Sequence, residues 1–436
     1  MREGRGMTGM KKVIIGMGIL VFVCCHSAFS EDKQPPYTLE DCYALALKQS
    51  EVVAIHAELI KEAEAHFVQS LGLILPHVSF GATHNRKDYE HFNSDSFSEN
   101  RTRESKFVFR QTLFSGFKEF AGMTGSGNER DQYVNQKKRA EQLLLTDVSG
   151  AFCLLVEEKE DLAALDKIRS ALADRVKELQ QRENVGRSRR SEVASAQAQL
   201  YGVEADIELV RSQESVAREL LAFLIGRPVE AIAYMPAILP PPDPEDSYIA
   251  KAQSRPDVQA ARLAWEVTKK RVAIARSAFL PTVSVESSYY TARSAALLDP
   301  QWSAALKVDV PIFNGTETFG AVQEAAAKRR EAELQFQRTR RLAAQDIRDV
   351  YTELQGYRAR TEALKKALDA AQMNVALQEG DYLLNLVNNL EVLQAIQTLE
   401  QAQRNYIHSL YETKRLYWRL LVAAGENATE KLHEPF

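Results

Sequence analysis

Three histidines, His77, His84 and His91, recur seven residues apart, and imidazoles at a fixed interval are a natural place to look for a metal site. In strand and loop a spacing of seven does not hold side chains on one face, so these read as exposed histidines of a loop-rich segment. Gly125-Ser126-Gly127 has glycines suited to cradling phosphate, but no strand precedes it as a phosphate loop requires. Asn427-Ala428-Thr429 matches a glycosylation acceptor by chance. Cys42 and Cys153 are read as buried thiols, since one pair in a long exported chain does not make a disulfide framework. No nucleophile, general base, metal cluster or cofactor motif has usable spacing, and no enzymatic activity, cofactor or metal is expected.

The chain has 436 residues, and its 45% hydrophobic and 26% charged residues lie in the ordinary globular range, so composition selects no class. A net charge of −4 with mixed signs leaves no basic footprint for nucleic acid. The first 30 residues read as an export signal peptide: Lys11 and Lys12, an apolar run from Val13 to Cys25, and Ala28-Phe29-Ser30 before acidic Glu31-Asp32. Met10 is an alternative start, and neither Cys24 nor Cys25 follows the small residue of a lipoprotein signal. No later stretch is apolar enough for a membrane helix, so a membrane crossing would have to use strands.

An internal repeat organises the rest. Leu75-Pro76 matches Leu280-Pro281 at a shift of 205 residues, whereas Leu113-Phe114-Ser115-Gly116 matches Ile312-Phe313-Asn314-Gly315 at a shift of 199. Glu192-Val193 and Glu391-Val392, and Gly226 and Gly425, keep the second shift, so one loop is six residues longer in the first copy. The expected organisation is a first repeat over 31–226, a proline-rich linker over 227–244, a second repeat over 245–425 and a short tail over 426–436.

Each repeat opens with a helix, the first capped by Thr38 with Asp41 three residues on. After Leu-Pro the period changes to two: Ala304, Leu306, Val308, Val310 and Ile312 alternate with small or polar residues over Trp302–Phe313, and Val283, Val285 and Tyr289 do so in the partner strand. Lys307 and Asp309 on the opposite face fit a wet lumen. Val78, Phe80 and Ala82, then Phe107, Phe109 and Leu113, mark the first hairpin, joined by a polar loop around Asn85 to Arg103. The remainder is helix on coiled-coil spacing. Leu144, Val148, Ala151 and Leu155, and Ile347, Val350, Leu354, Tyr357, Thr361 and Leu364, step by threes and fours. Two helices of about 60 residues, each roughly 90 Å long, with return helices from Val193 and Val392, give two antiparallel helical hairpins. Four strands cannot close a membrane barrel of at least about eight, so a membrane role requires several copies.

The Leu-Pro pairs, the Leu-Phe-Ser-Gly and Ile-Phe-Asn-Gly marks, Arg255-Pro256-Asp257-Val258 and Asn184-Val185-Gly186, in a twofold repeat behind an export signal, resemble the TolC family of outer-membrane efflux proteins from Thr38 to Gly425. The resemblance implies a mainly α fold with a small β part: a homotrimer whose twelve strands form a barrel in outer-membrane lipid, continued by a helical barrel through the periplasm. It implies a passive exit duct for efflux or secretion, joined by its helical tips to a periplasmic adaptor and an inner-membrane pump. The positions matching the family's adaptor-docking tips are Val185, Gly186, Arg187 and Ser188, and Val387 and Asn388; Gly186 reads equally as a plain helix C-cap. The second tip has no glycine.

Matching positions for the pore constriction are Glu391, Gln394 and Tyr382, with Glu192 the first-repeat counterpart of Glu391. Only one of the family's two acidic positions is acidic here, and Val387 stands in place of its arginine. Read without the resemblance, Glu391 and Glu192 are first-turn residues favoured by the helix dipole. The competing class is a soluble periplasmic coiled-coil adaptor or scaffold, which two helical hairpins and only four strands disfavour.

Overall fold

A computed structural model describes residues 36–86, 101–233, 239–294 and 300–426. The signal peptide, His91, Pro236 and the Asn427 sequon lie outside the described residues. The first repeat runs α1 (Leu39–Gln49), α2 (Glu51–Gly72), β1 (His77–Arg86), β2 (Arg101–Ser115), α3 (Lys118–Asn184) and α4 (Arg190–Ile225). The second runs α5 (Glu245–Lys251), α6 (Pro256–Ser277), β3 (Thr282–Arg293), β4 (Trp302–Asp309), α7 (Glu317–Leu383) and α8 (Asn389–Ala423). Thr38 caps α1 through the expected box, its Oγ1 accepting from the Asp41 N–H at 3.1 Å while Asp41 accepts from the Thr38 N–H at 3.0 Å. Ser50 interrupts the opening helix and caps α2; at the matching place Pro256 begins α6, where its missing N–H costs nothing.

The long helices α3 and α7 are each 67 residues, about 100 Å at 1.5 Å per residue. They therefore overrun the expected 60, because Gly320 and Gly380 sit inside α7 rather than ending it. Interior glycine weakens a helix by only about 1 kcal/mol, which a continuous seam outweighs. That seam in α7 buries Ala343, Ile347, Val350 and Leu354, then Ala371 and Tyr382, with partly buried Tyr357, Thr361, Leu364 and Leu368 between them. It packs on α8, as α3 packs on α4.

One core joins the repeats: Leu145, Phe152 and Leu155 of α3 and Leu221 of α4 share it with Ile347 of α7 and Tyr411, Trp418 and Leu421 of α8. Cys42 and Cys153 are both buried thiols outside any disulfide, as expected, and burial pushes each up to about 12. The linker is pinned rather than loose. Val229 and Ile232 are buried in the core, and Tyr37 exchanges backbone bonds with Ala231 and Ala233 at 3.0 and 2.8 Å.

The C-terminal end of α8 shows how a helix end is satisfied inside this core. Its last carbonyls have no intrahelical donor; Arg139 of α3 donates to Val422 O at 2.8 Å, Arg255 to Ala423 O at 3.1 Å and Gln142 to Gly425 O at 3.1 Å. Arg255, itself buried, also pairs with Asp257 and Asp346 at 2.7 and 2.9 Å. The Arg-Pro-Asp mark thus locks the start of α6 to the end of α8.

The four strands form one antiparallel sheet in the order β1-β2-β3-β4, the central pair joining the two repeats. Strand β4 is shorter than the alternation over Trp302–Phe313 suggested. Its partner β3 begins at Thr282, opposite Asp309, and Pro311 could not donate to a ladder in any case. At three places the repeats use matching left-handed residues: Gly116 and Gly315 leaving the sheet, Gly226 and Gly425 ending the return helices, and Gly186 and Asn385 at the tips. A Cβ on Gly116 would sit 2.8 Å from the Ser277 carbonyl, whereas on Gly315 it would meet open space. Gly315→Ala is expected to cost about 1 kcal/mol, the left-handed penalty alone, and Gly116→Ala more than ~2 kcal/mol because backbone must also move. Thermal unfolding of the two variants, followed by circular dichroism, checks the order; equal losses would contradict it.

Candidate functional site

The two faces of the sheet are chemically opposite. Register puts Val78 opposite Phe109 and Phe80 opposite Phe107, Phe107 opposite Tyr289, and Val283, Val285 and Tyr289 opposite Val308, Leu306 and Trp302. These side chains share one face, and it is bare: Val78 is 68% exposed, Trp302 63% and Leu306 66%. Phe80 and Phe107 stack across the strands at 5.0 Å. The other face carries Glu104, Lys106, Arg110, Glu286, Lys307 and Asp309, with Arg110 bonded to Glu286 at 3.2 Å and Glu104 to Lys106 at 2.8 Å. A sheet apolar on its open side and charged on the other inverts the rule for a water-soluble sheet.

Histidines 77 and 84 point to opposite faces of β1, since an odd spacing in a strand must separate them. Gly125, Ser126 and Gly127 lie mid-helix in α3, where Ser126 meets Ser70 of α2 at 3.3 Å and Gly125 admits Lys270 of α6. They serve helix packing. No group of three or more metal-ligating side chains occurs among the described residues, and no helix among them is long and apolar enough to cross a membrane.

At the far end of the helices the two tips close identically. Gly186 N–H donates to Glu183 O and Arg187 N–H to Arg182 O, both at 2.8 Å; Asn385 N–H donates to Tyr382 O at 3.0 Å and Leu386 N–H to Asp381 O at 2.9 Å. The second tip therefore needs no glycine, because Asn385 takes φ +60°, a conformation asparagine tolerates better than most residues. Asn388 is instead the extended N-cap of α8, its Oδ1 accepting from Leu390 and Glu391 N–H groups at 2.8 and 3.2 Å.

Both candidate glutamates sit at the third position of a return helix. Glu391 accepts from the Asn388 N–H at 2.9 Å, and Glu192 accepts from the Ser188 hydroxyl at 2.6 Å and the Arg189 N–H at 3.4 Å. Each completes a capping box. Glu391 and Gln394 are exposed one helical turn apart. Tyr382, by contrast, is turned into the tip core with Val392 and Leu393. It is 8% exposed, its ring stacked by the Arg175 guanidinium at 3.6 Å and that of Arg182 at 4.6 Å. Val387 is half-buried against the same tip core. Leu383, Leu384, Leu386 and Leu390 stand clear at the second tip, each 66–70% exposed, and Val185 at 69% does so on the first, next to the polar Arg187, Ser188 and Arg189.

Arg175 was not foreseen. It is buried on the apolar seam of α3, donates Nε to Asn389 Oδ1 at 2.9 Å and Nη1 to Glu178 at 2.8 Å, and so ties the first repeat to both helices of the second tip. Its only trace in the sequence is a charge in step with Leu172 and Leu179.

Midway along the bundle a second polar layer joins α3 to α8. Glu157 accepts from Arg415 and meets His408 Nδ1, each at 2.7 Å; Arg404 donates to Asp161 at 3.1 Å; Tyr411 donates to Glu160 at 2.7 Å. Glu158, beside them, is pushed up to about 7 by burial and then by the carboxylates of Glu157 and Asp161, against the pull of Arg404 and Arg415. Raised in the folded chain, this carboxyl favours folding while protonated; its contribution is complete below about 4.5 and is lost as pH rises through about 7. Glu158→Gln is expected to raise the thermal midpoint at pH 8 and to leave it unchanged at pH 4, in parallel melts of both proteins. An equal shift at the two pH values would show that ionisation is not the cause.

With this geometry in hand, likeness to other proteins is informative. Residues 250–426, the second repeat, match the outer membrane efflux protein family. The outer membrane efflux protein BepC of Brucella suis is 21% identical over 74% of this chain and 72% of its own. The outer membrane protein TolC of Vibrio cholerae is 21% identical over 79% of this chain and 80% of its own. Among solved structures, the outer membrane protein VceC of Vibrio cholerae superposes with a TM-score of 0.78 at 21% identity, covering 89% of this chain and 96% of that one. Duplicated helical hairpins and a four-stranded sheet with one exposed apolar face are the fold this chain shares with VceC, and its second repeat carries the match to the outer membrane efflux protein family.

Proposed function

We infer that three copies of this chain form an outer-membrane exit duct for efflux or secretion, completed by a periplasmic adaptor and an inner-membrane pump. The observation that carries it is the sheet. Its apolar face is exposed, and its outer edges, β1 and β4, have no neighbouring strand among the described residues. In hydrocarbon such an edge would leave backbone groups unpaired at several kcal/mol each; joining β4 of one copy to β1 of the next removes every edge. Three copies give the twelve strands of a barrel, with Glu104, Lys106, Glu286 and Lys307 inside. A soluble adaptor would instead leave Phe80, Trp302 and Leu306 in water.

Transport through the duct is passive and needs no catalytic residue, the pump supplying energy and selection. At the tips, Glu391 and Gln394 are assigned to the mouth of the duct, where threefold symmetry makes Glu391 a ring of carboxylates that attracts cations. Val185, Gly186, Arg187 and Ser188, with Val387 and Asn388, are assigned to adaptor docking. The neighbouring Leu384, Leu386 and Leu390 extend that surface, since exposed leucines beside a polar rim suit a partner's apolar groove.

Expressed in a Gram-negative cell, the protein is expected in the outer-membrane fraction as a heat-labile trimer that conducts ions in planar bilayers. A monomer recovered from the soluble periplasm would rule the duct out. At the mouth, Glu391→Gln keeps an acceptor for the Asn388 N–H while removing the charge. It is expected to lose block by a multivalent cation added on the tip side, whereas Glu391→Asp retains it. Block unchanged in the glutamine variant would place Glu391 away from the mouth.

A further inference from the structure

Beyond the apolar band, the outward face of the first hairpin ends in a concentration of positive charge. Register sets Arg86 directly opposite Arg101, and His84 opposite Arg103. These positions follow Phe80, Ala82, Phe107 and Ser105 in the two-residue period, so all four side chains stand on the face that carries Val78, Phe80, Phe107 and Phe109. All are exposed. Like charges facing each other across two strands are destabilising, and nothing described on this face offsets them. The carboxylates of the described strands, Glu104, Glu286 and Asp309, belong to the opposite face. None of the three arginines forms an ion pair among the described residues; among these residues their one side-chain hydrogen bond is Arg103 Nε donating to His84 Nδ1 at 3.2 Å.

The height of the cluster is as telling as its charge. At the helical end the apolar belt begins with Phe114, which meets Phe117 edge-on at 5.0 Å; Ile312 and Phe313, just past β4, are 89% and 86% exposed. From Phe114 to Phe107 the strand runs about 23 Å at roughly 3.3 Å per residue, which at a barrel tilt of about 40° is roughly 18 Å of the ~25 Å apolar band. Arg103 and Arg101 come about 13 and 20 Å further along the strand. They therefore stand past the hydrocarbon, at headgroup level, on the side away from the helices. Neighbouring copies join through strand edges and leave this face uncovered.

We propose that Arg86, Arg101 and Arg103 form a binding site for the phosphate groups of an anionic lipid in the outward leaflet. A guanidinium presents two parallel donors that match phosphate oxygens, and one phosphate bridging Arg86 and Arg101 would relieve their mutual repulsion. Threefold assembly repeats the site around the barrel. The proposal rests on the outer-membrane reading given above.

The test uses the detergent-extracted trimer titrated with phosphorylated outer-membrane glycolipid, with the same glycolipid stripped of phosphate, and with inorganic phosphate, bound lipid being counted by native mass spectrometry. Wild type is expected to take up the phosphorylated glycolipid and neither of the others. R86Q/R101Q/R103Q is expected to weaken that binding at least fivefold, R86K/R101K/R103K to weaken it less, since the charge remains without the paired donors, and R110Q, on the lumen face, to leave it unchanged. If the triple glutamine variant does not assemble, R86Q alone removes the facing charge and is expected to weaken binding at least twofold. Binding insensitive to the arginines would overturn the proposal, the acids Asp88, Glu90, Asp95 and Glu99 of the connecting segment then being the sufficient counter-charge. Equal uptake of the dephosphorylated lipid, or its displacement by inorganic phosphate, would overturn it too. In each of these outcomes the trimer itself persists, so the duct reading is unaffected; loss of the wild-type trimer is what would remove both.

Discussion

An apolar sheet with two open edges cannot stand alone in either solvent open to it. Water penalises the face that carries Phe80, Phe107, Trp302 and Leu306; lipid penalises the unpaired N–H and C=O groups along β1 and β4. Only closure with further copies satisfies both at once. Much of the rest of the chain follows from that requirement. The strands are long enough to cross hydrocarbon when tilted, the charged residues collect on the concealed face, and the long helices must continue a tube whose diameter the barrel sets.

Holding two repeats at a common angle is the next demand, and three joints meet it at different heights. The β2–β3 ladder joins the hairpins at the membrane. Arginines 139 and 255 end α8 against α3 and α6, and the layer around Glu157, Asp161, Arg404 and Arg415 links α3 to α8 further down. Each joint uses hydrogen-bonded or paired polar groups, which fix register where a purely apolar seam would allow one helix to slide by a turn. At the tips Arg175 does the same for Tyr382 and Asn389.

The parts of this architecture that were legible in the sequence are those with a period or a repeat. Alternation by two exposed the strands, threes and fours exposed the helical seams, and the constant offset of 199 paired Gly116 with Gly315 and Gly226 with Gly425, all four of which take positive φ. What escaped was whatever depended on a partner distant in the chain. Alternation ran on to Phe313, but β4 ends where β3 offers nothing further to pair with. Asn385 was hidden because the offset of 199 sets an asparagine, not a glycine, against Gly186, and Asn388 lies closer to the second return helix. Arg175 looks like an error in an apolar seam until Tyr382, more than two hundred residues later, is placed across it. The constriction residues were matched by position, and position says nothing about which way a ring turns: Tyr382 turns inward, between two guanidiniums.

The tips carry the same backbone on different chemistry. One hydrogen-bond pattern closes both turns, yet the first presents Arg187, Ser188 and Arg189 and the second Leu384, Leu386 and Leu390. Duplication supplied the fold twice, and the turn requires only a residue able to adopt positive φ, so the outward positions were free to diverge. The glutamates were less free. Glu192 and Glu391 both hold the first turn of a return helix, and a carboxylate there is favoured by the helix dipole whatever else it does. Any charge the mouth of the duct requires is thus placed where the helix start already stabilises one, and a single side chain can serve the turn and the pore without conflict between them.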